Sequence, residues 1–260
     1  MSENLPPLDF GDLNHEVRIW DLDETLIILS SLLTTQFSAA HKESSTLCNY
    51  LGREMMKFLF IILEEFFAFK ELEDHNITNF ENLDYTNTID NTSCLPDPVK
   101  KNVQELYIRN KEFYDNNRNY IQFEFVPEEI RTPLSAVYEE IDSLSSSWLS
   151  ISYLILEKSQ TCTNVTNLVV TSSHILGALA KLLLFKLSPF FPAQNVYSSS
   201  DVGKLACFIH IISKFGHKVS YVVIGDGKEE KAAASEMGLH FIEINSLLQL
   251  KSLYGKERLR

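Results

Sequence analysis

Long apolar runs, paired cysteines and basic patches are all scarce in this chain of 260 residues, and each scarcity removes a class of function. The most apolar stretch, Phe58 to Leu63, stops at Glu64 and Glu65, far short of the roughly 20 apolar residues that span a bilayer. No membrane segment is expected. The cysteines, Cys48, Cys94, Cys162 and Cys207, lie far apart, with no C-x-x-C pair and no histidine at zinc-ligand spacing. They read as reduced core residues. Lys and Arg number 23 against 35 Asp and Glu, a formal net charge of -12, which argues against direct nucleic-acid binding, because a grip on phosphates needs clustered cations. The one local basic excess, Lys251 to Arg260, reads as a solvated terminal helix. The amino terminus, MSENLPPLDFGDL, lacks the charged and apolar regions of a signal peptide, so a reducing intracellular compartment is expected.

With 45% hydrophobic residues, the chain is long enough for one large domain or a core with a sizeable insertion. Short apolar runs closed by polar or glycine-rich turns occur at Val17 to Trp20, Leu168 to Val170, Tyr221 to Ile224 and Phe241 to Ile244, with a shorter candidate at Asn195 to Tyr197. Helical patterns follow several of them, such as His174 to Leu187 and Asp201 to Phe215, the latter stopped by Gly216. Strands alternating with helices predict an α/β fold with a parallel sheet covered on both faces. Ligands of such sheets bind beyond the carboxyl ends of the strands. Between about residues 40 and 165 the pattern turns helical, over Leu51 to Glu73, Val99 to Tyr120 and Ser135 to Glu157. Glu73 to Asp97, rich in Asn, Asp and Thr, predicts a loop. No internal repeat is present.

The chemistry sits at the ends of the predicted strands. "WDLDETL" places Asp21 and Asp23 two positions apart directly after an apolar strand, where like charges repel. Such a pair could cap a helix. It could also move a phosphoryl group in two steps: one carboxylate attacks phosphorus, and the other protonates the leaving oxygen and later activates water. A divalent cation would make use of the crowded charge, since Mg²⁺ accepts one or two carboxylates and keeps waters for substrate oxygens. Thr171, followed by Ser172 and Ser173, offers hydroxyls and N–H groups to a phosphate, or an ordinary helix cap. Lys204 opens a helix, where a cation opposes the helix dipole and lacks a local reason. In "VVIGDGKEE", Asp226 lies between two glycines after an apolar strand, with Glu230 one helical turn on. All these groups converge on one sheet edge.

This set resembles the haloacid dehalogenase superfamily of phosphotransferases, and more closely the eyes absent family of protein tyrosine phosphatases. "WDLDETLIILSSLLT" is similar to that family's first motif almost residue for residue, "LVVTSSHILGALAKLLLF" to its second, and "NVYSSSDVGKLACF" and "YVVIGDGKEEKAA" to its last two. The resemblance implies a haloacid dehalogenase-like Rossmannoid core of residues 1–40 and 165–260, interrupted by a large helical cap of residues 41–164. It implies Mg²⁺ as cofactor, Asp21 as nucleophile, and Asp23 as acid/base whose backbone carbonyl also meets the metal. Asp226 would be a carboxylate ligand, with Glu230 supporting the metal shell, while Thr171 and Ser172 would bind phosphate and Lys204 would pair with it. Departures occur at Ser30 and Thr35, where the family usually has His and Gly, and at Ser172, Ser173 and Gly177 in the second motif. They touch substrate fit rather than the proposed catalytic groups. The short stretch ahead of the first motif makes the layout closer to plant-type members than to animal members, which carry a long transactivation region there.

The expected function is therefore a Mg²⁺-dependent, aspartate-based phosphatase that hydrolyses phosphotyrosine in a protein substrate through an aspartyl-phosphate. A thiol-based tyrosine phosphatase is excluded by spacing. That chemistry needs Arg at the sixth position after Cys, and those positions here hold Glu54, Lys100, Leu168 and Ser213. A small-metabolite phosphatase of the same superfamily would share every catalytic residue. A non-enzymatic alternative, by the same resemblance, is a transcriptional cofactor that docks a homeodomain transcription factor through the cap. Its sequence support is limited to a stripe of Phe58, Ile61, Ile62, Phe66 and Phe69, a pattern that core helices share. Residence in the nucleus, the cytoplasm or both follows from analogy alone.

Overall fold

The computed structural model of the chain describes residues 15–81 and 96–258. The terminal stretch MSENLPPLDFGDL, Cys94 and the chain end beyond Arg258 lie outside the described residues. The first strand, β1 (Glu16–Trp20), is followed among the described residues by the α-helices α1 (Ser30–Leu33), α2 (Gln36–His41), α3 (Ser45–Phe66), α4 (Asp97–Asn117), α5 (Glu128–Leu144) and α6 (Trp148–Gln160). Strands and helices then alternate as β2 (Val165–Thr171), α7 (Ile175–Leu184), β3 (Val196–Ser198), α8 (Gly203–Phe215), β4 (Ser220–Gly225), α9 (Lys228–Glu236), β5 (His240–Glu243) and α10 (Leu247–Arg258).

All strand pairings are parallel, in the order β3-β2-β1-β4-β5. The parallel α/β sheet with a helical insertion between β1 and β2 is the fold class that the sequence pattern predicts. Because β1 is central and the connections run outward from it in both directions, the topological switch lies between β1 and β4, where parallel sheets open a crevice for ligands. Alternate residues face opposite sides, as the period of a strand requires. Val17, Ile19, Leu168, Val170 and Val223 pack with Cys207, Phe208 and Ile211 of α8 and Ala233 and Ala234 of α9. Trp20, Val169 and Ile224 face the opposite way, into a larger cluster that runs without a break through α3, α5, α6, α7 and α10.

The strands exceed their apolar runs where polar residues find partners. In β2, Thr166 and Asn167 pair in register with Val17 and Arg18. The buried amide of Asn167 accepts from Trp20 Nε1 at 2.9 Å and donates to Ser159 Oγ at 2.9 Å. That satisfaction permits a polar side chain on a covered face. The single helical pattern over Ser135 to Glu157 is two helices, split at Ser146 and Ser147, both in the left-handed region with φ of 54° and 70°. Of the loop predicted over Glu73 to Asp97, residues 82–95 lie outside the described residues and Asp97 opens α4, while residues 73–81 are pinned to the sheet edge: Asn79 Nδ2 donates to the Val196 carbonyl at 2.7 Å, and Ser198 N donates to that of Thr78 at 2.8 Å. The apolar stripe Phe58 to Phe69, which runs from α3 into the turn after it, is core. Phe58 and Ile62 are buried, while Ile61, Phe66 and Phe69 pack against the same cluster. Cys48, Cys162 and Cys207 are free thiols, and among the described residues no helix is long and apolar enough to cross a membrane.

Candidate active site

The chain leaves β1 through a tight turn in which Glu24 takes a left-handed conformation, φ 61°, an uncommon state for a residue with a side chain. The turn is held from several directions. Asp21 N donates to the Ile224 carbonyl of β4 at 2.8 Å, Leu26 N to that of Leu22 at 3.0 Å, and Trp148 Nε1 to that of Thr25 at 3.1 Å. The Glu24 carboxylate accepts from the backbone N–H groups of Leu29 and Ser31, each at 3.1 Å. It thereby ties the start of α1 to the loop. Neither aspartate caps a helix, since α1 begins only at Ser30.

Asp21 and Asp23 point into different surroundings. Asp21 is buried and receives Lys204 Nζ at 2.6 Å; the same ammonium reaches Glu230 Oε2 at 2.8 Å. Thr25 Oγ lies 3.4 Å from Asp21 Oδ2 and 3.3 Å from Asp226 Oδ1, so one hydroxyl is shared between the two carboxylates. Carboxylate oxygens of Asp21, Asp226 and Glu230 all lie within 4.8 Å of one another. Burial pushes the Asp21 carboxyl up to about 7, Lys204 opposes that rise, and Glu230 and Asp226 add to it. Asp226 is likewise raised, by burial and by Glu230. Burial also penalises the charged form of Glu230, but the Lys204 charge and hydrogen bond, together with the Gly227 N–H, outweigh it and hold this carboxyl below its usual value. For Lys204, burial favours the neutral amine, yet Asp21 and Glu230 overcome it and raise its pKa.

The two glycines of "GDG" have a packing cause. A Cβ at either Gly225 or Gly227 would lie 2.7 Å from Glu230 Oε1, because that side chain folds back over the turn to accept from Gly227 N at 2.5 Å. Glu230 thus bonds the N–H of Gly227, the residue that caps α9, and anchors Lys204 at once. The crowded, all-oxygen carboxylate trio, two of whose members are held above their usual values, suits a hard divalent cation, whose charge would offset the repulsion. These residues fit a metal.

On the other side of the loop, Asp23 is half-buried. Lys181 Nζ lies 2.7 and 2.8 Å from its two carboxylate oxygens, Ser173 Oγ donates to Oδ2 at 3.1 Å, and Thr171 Oγ stands at 3.5 Å. Thr171 does not cap α7, a role taken by His174, whose Nδ1 accepts from Leu176 N. Its hydroxyl instead accepts from Ser173 N at 3.2 Å. Ser172 is exposed, and no hydrogen bond joins its hydroxyl to the other described residues. The sequence pattern marks Ser173 only as a hydroxyl for a phosphate, not as a partner of Asp23, and does not single out Lys181. The available signal was a single charged residue inside the apolar helix ILGALAKLLL. It also passed over Asn76, which reaches in from the insertion: Oδ1 accepts from Ile175 N at 2.9 Å, and Nδ2 lies 2.9 and 2.7 Å from the Ser198 and Ser200 hydroxyls.

No protein-family model matches the chain. It is 32% identical to human protein phosphatase EYA1 over 92% of this chain and 44% of that protein. To human protein phosphatase EYA2 it is 31% identical, over 95% and 50%. The protein phosphatase EYA of Arabidopsis thaliana is 30% identical, with 91% of this chain and 84% of that protein covered. The chain spans about half the length of the human relatives and most of the plant one. Among solved structures, a conserved haloacid dehalogenase-like protein of unknown function from Agrobacterium tumefaciens overlaps 55% of this chain and 82% of its own, with a TM-score of 0.29 and 17% identity.

Proposed function

The chain belongs to the EYA family of protein phosphatases, and from that membership and the site's geometry we propose that it is a Mg²⁺-dependent phosphatase with Asp21 as nucleophile, acting on phosphotyrosine in protein substrates. The observation that supports this most directly is the buried Asp21 carboxylate, paired to Lys204 at 2.6 Å at the end of the central strand and within the acidic trio. One of its oxygens attacks phosphorus, the bond to the tyrosine oxygen breaks, and Asp23 delivers a proton to that leaving oxygen. Asp23, now ionised, takes a proton from water as the water displaces Asp21 from phosphorus, which returns both carboxylates to their starting forms.

Mg²⁺ would be held by Asp21, Asp226 and the Asp23 carbonyl, with Glu230 in support, and when bound it supplies positive charge against the phosphoryl oxygens and the carboxylate crowding. The remaining work falls to the chain. Lys204 keeps Asp21 oriented and partly neutralised, which allows an anionic substrate to approach. Thr171 and Ser172 offer hydroxyls and N–H groups beside the phosphoryl position. In this reading residues 1–40 and 165–260 form the catalytic core and residues 41–164 a cap that contributes to substrate fit.

The test is phosphate release from a phosphotyrosine peptide by the purified chain, with Mg²⁺ and with chelator, beside Asp21→Asn. We expect turnover that needs the metal and falls by about 10³-fold or more in the variant, as loss of a covalent nucleophile does. Full activity in Asp21→Asn would overturn the covalent mechanism. An inactive but folded, Mg²⁺-binding protein would shift the reading to a small-metabolite substrate or to a cofactor role.

A further inference from the structure

Resting on the reading of Asp23 as the acid/base, we propose that Lys181 is the residue that positions Asp23. Lys181 is the one charged side chain in α7, a helix whose buried members are all apolar. Its long stem lets the ammonium leave the apolar cluster and reach the loop. There it meets Oδ1 and Oδ2 of Asp23 at 2.7 and 2.8 Å and Ser173 Oγ at 2.8 Å. An ammonium has three donors, and these three contacts account for all of them. Lys181 therefore has no spare donor for a phosphoryl oxygen and acts through Asp23.

A two-point hold on both carboxylate oxygens restricts rotation about both side-chain bonds of Asp23. Ser173 adds a third constraint on Oδ2 at 3.1 Å. The hold draws Asp23 toward α7, while Lys204 draws Asp21 toward α8 and α9. Two carboxylates two positions apart in the sequence are so held by different lysines on opposite sides of the loop. Misplacing an acid by about an ångström costs on the order of 10²-fold, and the loss falls on substrates whose leaving oxygen needs the proton most.

The experiment measures kcat/KM of the full chain with saturating Mg²⁺ on a series of aryl phosphates of graded phenol acidity, for the native protein, Lys181→Met, Lys181→Arg, Ser173→Ala, Asp23→Asn and the Lys181→Met/Asp23→Asn double variant. Lys181→Met is expected to lose about 10²-fold on phenyl phosphate, the lower end of a general acid's contribution, and under about 5-fold on 4-nitrophenyl phosphate, whose leaving group needs little help. Lys181→Arg should restore most of the loss, and Ser173→Ala should show the same trend more weakly. In the Asp23→Asn background Lys181→Met should add nothing further, as expected of a residue acting through another. Equal loss across the series, or full additivity with Asp23→Asn, would overturn the positioning role. If Lys181→Met fails to fold, Ser173→Ala decides on the same slope. If Asp23→Asn itself leaves the leaving-group dependence unchanged, the acid/base assignment fails, and this proposal with it.

Discussion

The two sides of the loop after β1 handle the same problem differently. Toward α8 and α9, Lys204, Asp21 and Glu230 are dehydrated, with side chains 5%, 9% and 4% exposed; toward α7, Lys181 and Asp23 are 13% and 23% exposed. A group that must attack phosphorus gains from dry, fixed surroundings, where charge interactions are strong. One that must exchange a proton with a leaving group and with water needs an open path. The contrast in burial separates the proposed nucleophile from the proposed acid more clearly than their positions in the motif do.

The largest effect that would break this contrast is at Lys204. Lys204→Met leaves Asp21 and Glu230 as neighbouring buried carboxylates with their cation gone, and removing one partner of a buried charge pair costs about 3–5 kcal/mol. Lys181→Met, at the half-open pair, should cost about 1 kcal/mol or less. Denaturant unfolding of both variants with chelator present measures the difference, and equal costs would erase the distinction between the two sides.

Next in size is a dependence on pH. In metal-free protein the Asp21 carboxyl titrates near 7, against an ordinary value of 3.8. Between those values the folded chain keeps a proton that the unfolded chain has released. Stability therefore falls as pH rises from about 4 to about 7, by up to about 1.4 kcal/mol per pH unit. Asp226, also raised, acts in the same direction, while Glu230, held low, acts only in more acid solution. Saturating Mg²⁺ should flatten the slope by competing with the proton, and Asp21→Asn should remove most of it. Thermal unfolding across this range, with and without metal, checks both.

The smallest effect concerns Asn76, the link from the insertion to the α7 side. Asn76→Ala leaves the Ile175 N–H and two serine hydroxyls to find water, at a cost of about 1 kcal/mol. Backbone hydrogen exchange should quicken at Ile175 and stay unchanged at the start of α8. Equal loosening on both sides would show that the insertion braces the whole sheet edge rather than one half of it.

How much of this was legible varies with the range of the interaction. The apolar runs before Asp21, Thr171 and Asp226 marked their strands, because a covered parallel strand is apolar on both faces. The runs stopped short in β2, where Asn167 is buried only by virtue of Trp20 and Ser159. "GDG" read as a turn, yet its glycines answer to Glu230 folding back across it. The helix opened by Lys204 was visible from Gly216 and its apolar spacing, but the partners of Lys204 were not.

What the sequence by itself determined is the five strands and their order along the chain, the helical character of the insertion, and the placing of acids and hydroxyls at strand ends, since periodicity and turn chemistry act over a few residues. The tertiary structure decided which lysine serves which aspartate, why Ser173 rather than Ser172 meets Asp23, and how Asn76 crosses from the insertion. Lys181 is 158 positions from Asp23, and Lys204 is 183 from Asp21. Pairings at such separations depend on sheet order and helix docking, which local patterns do not contain.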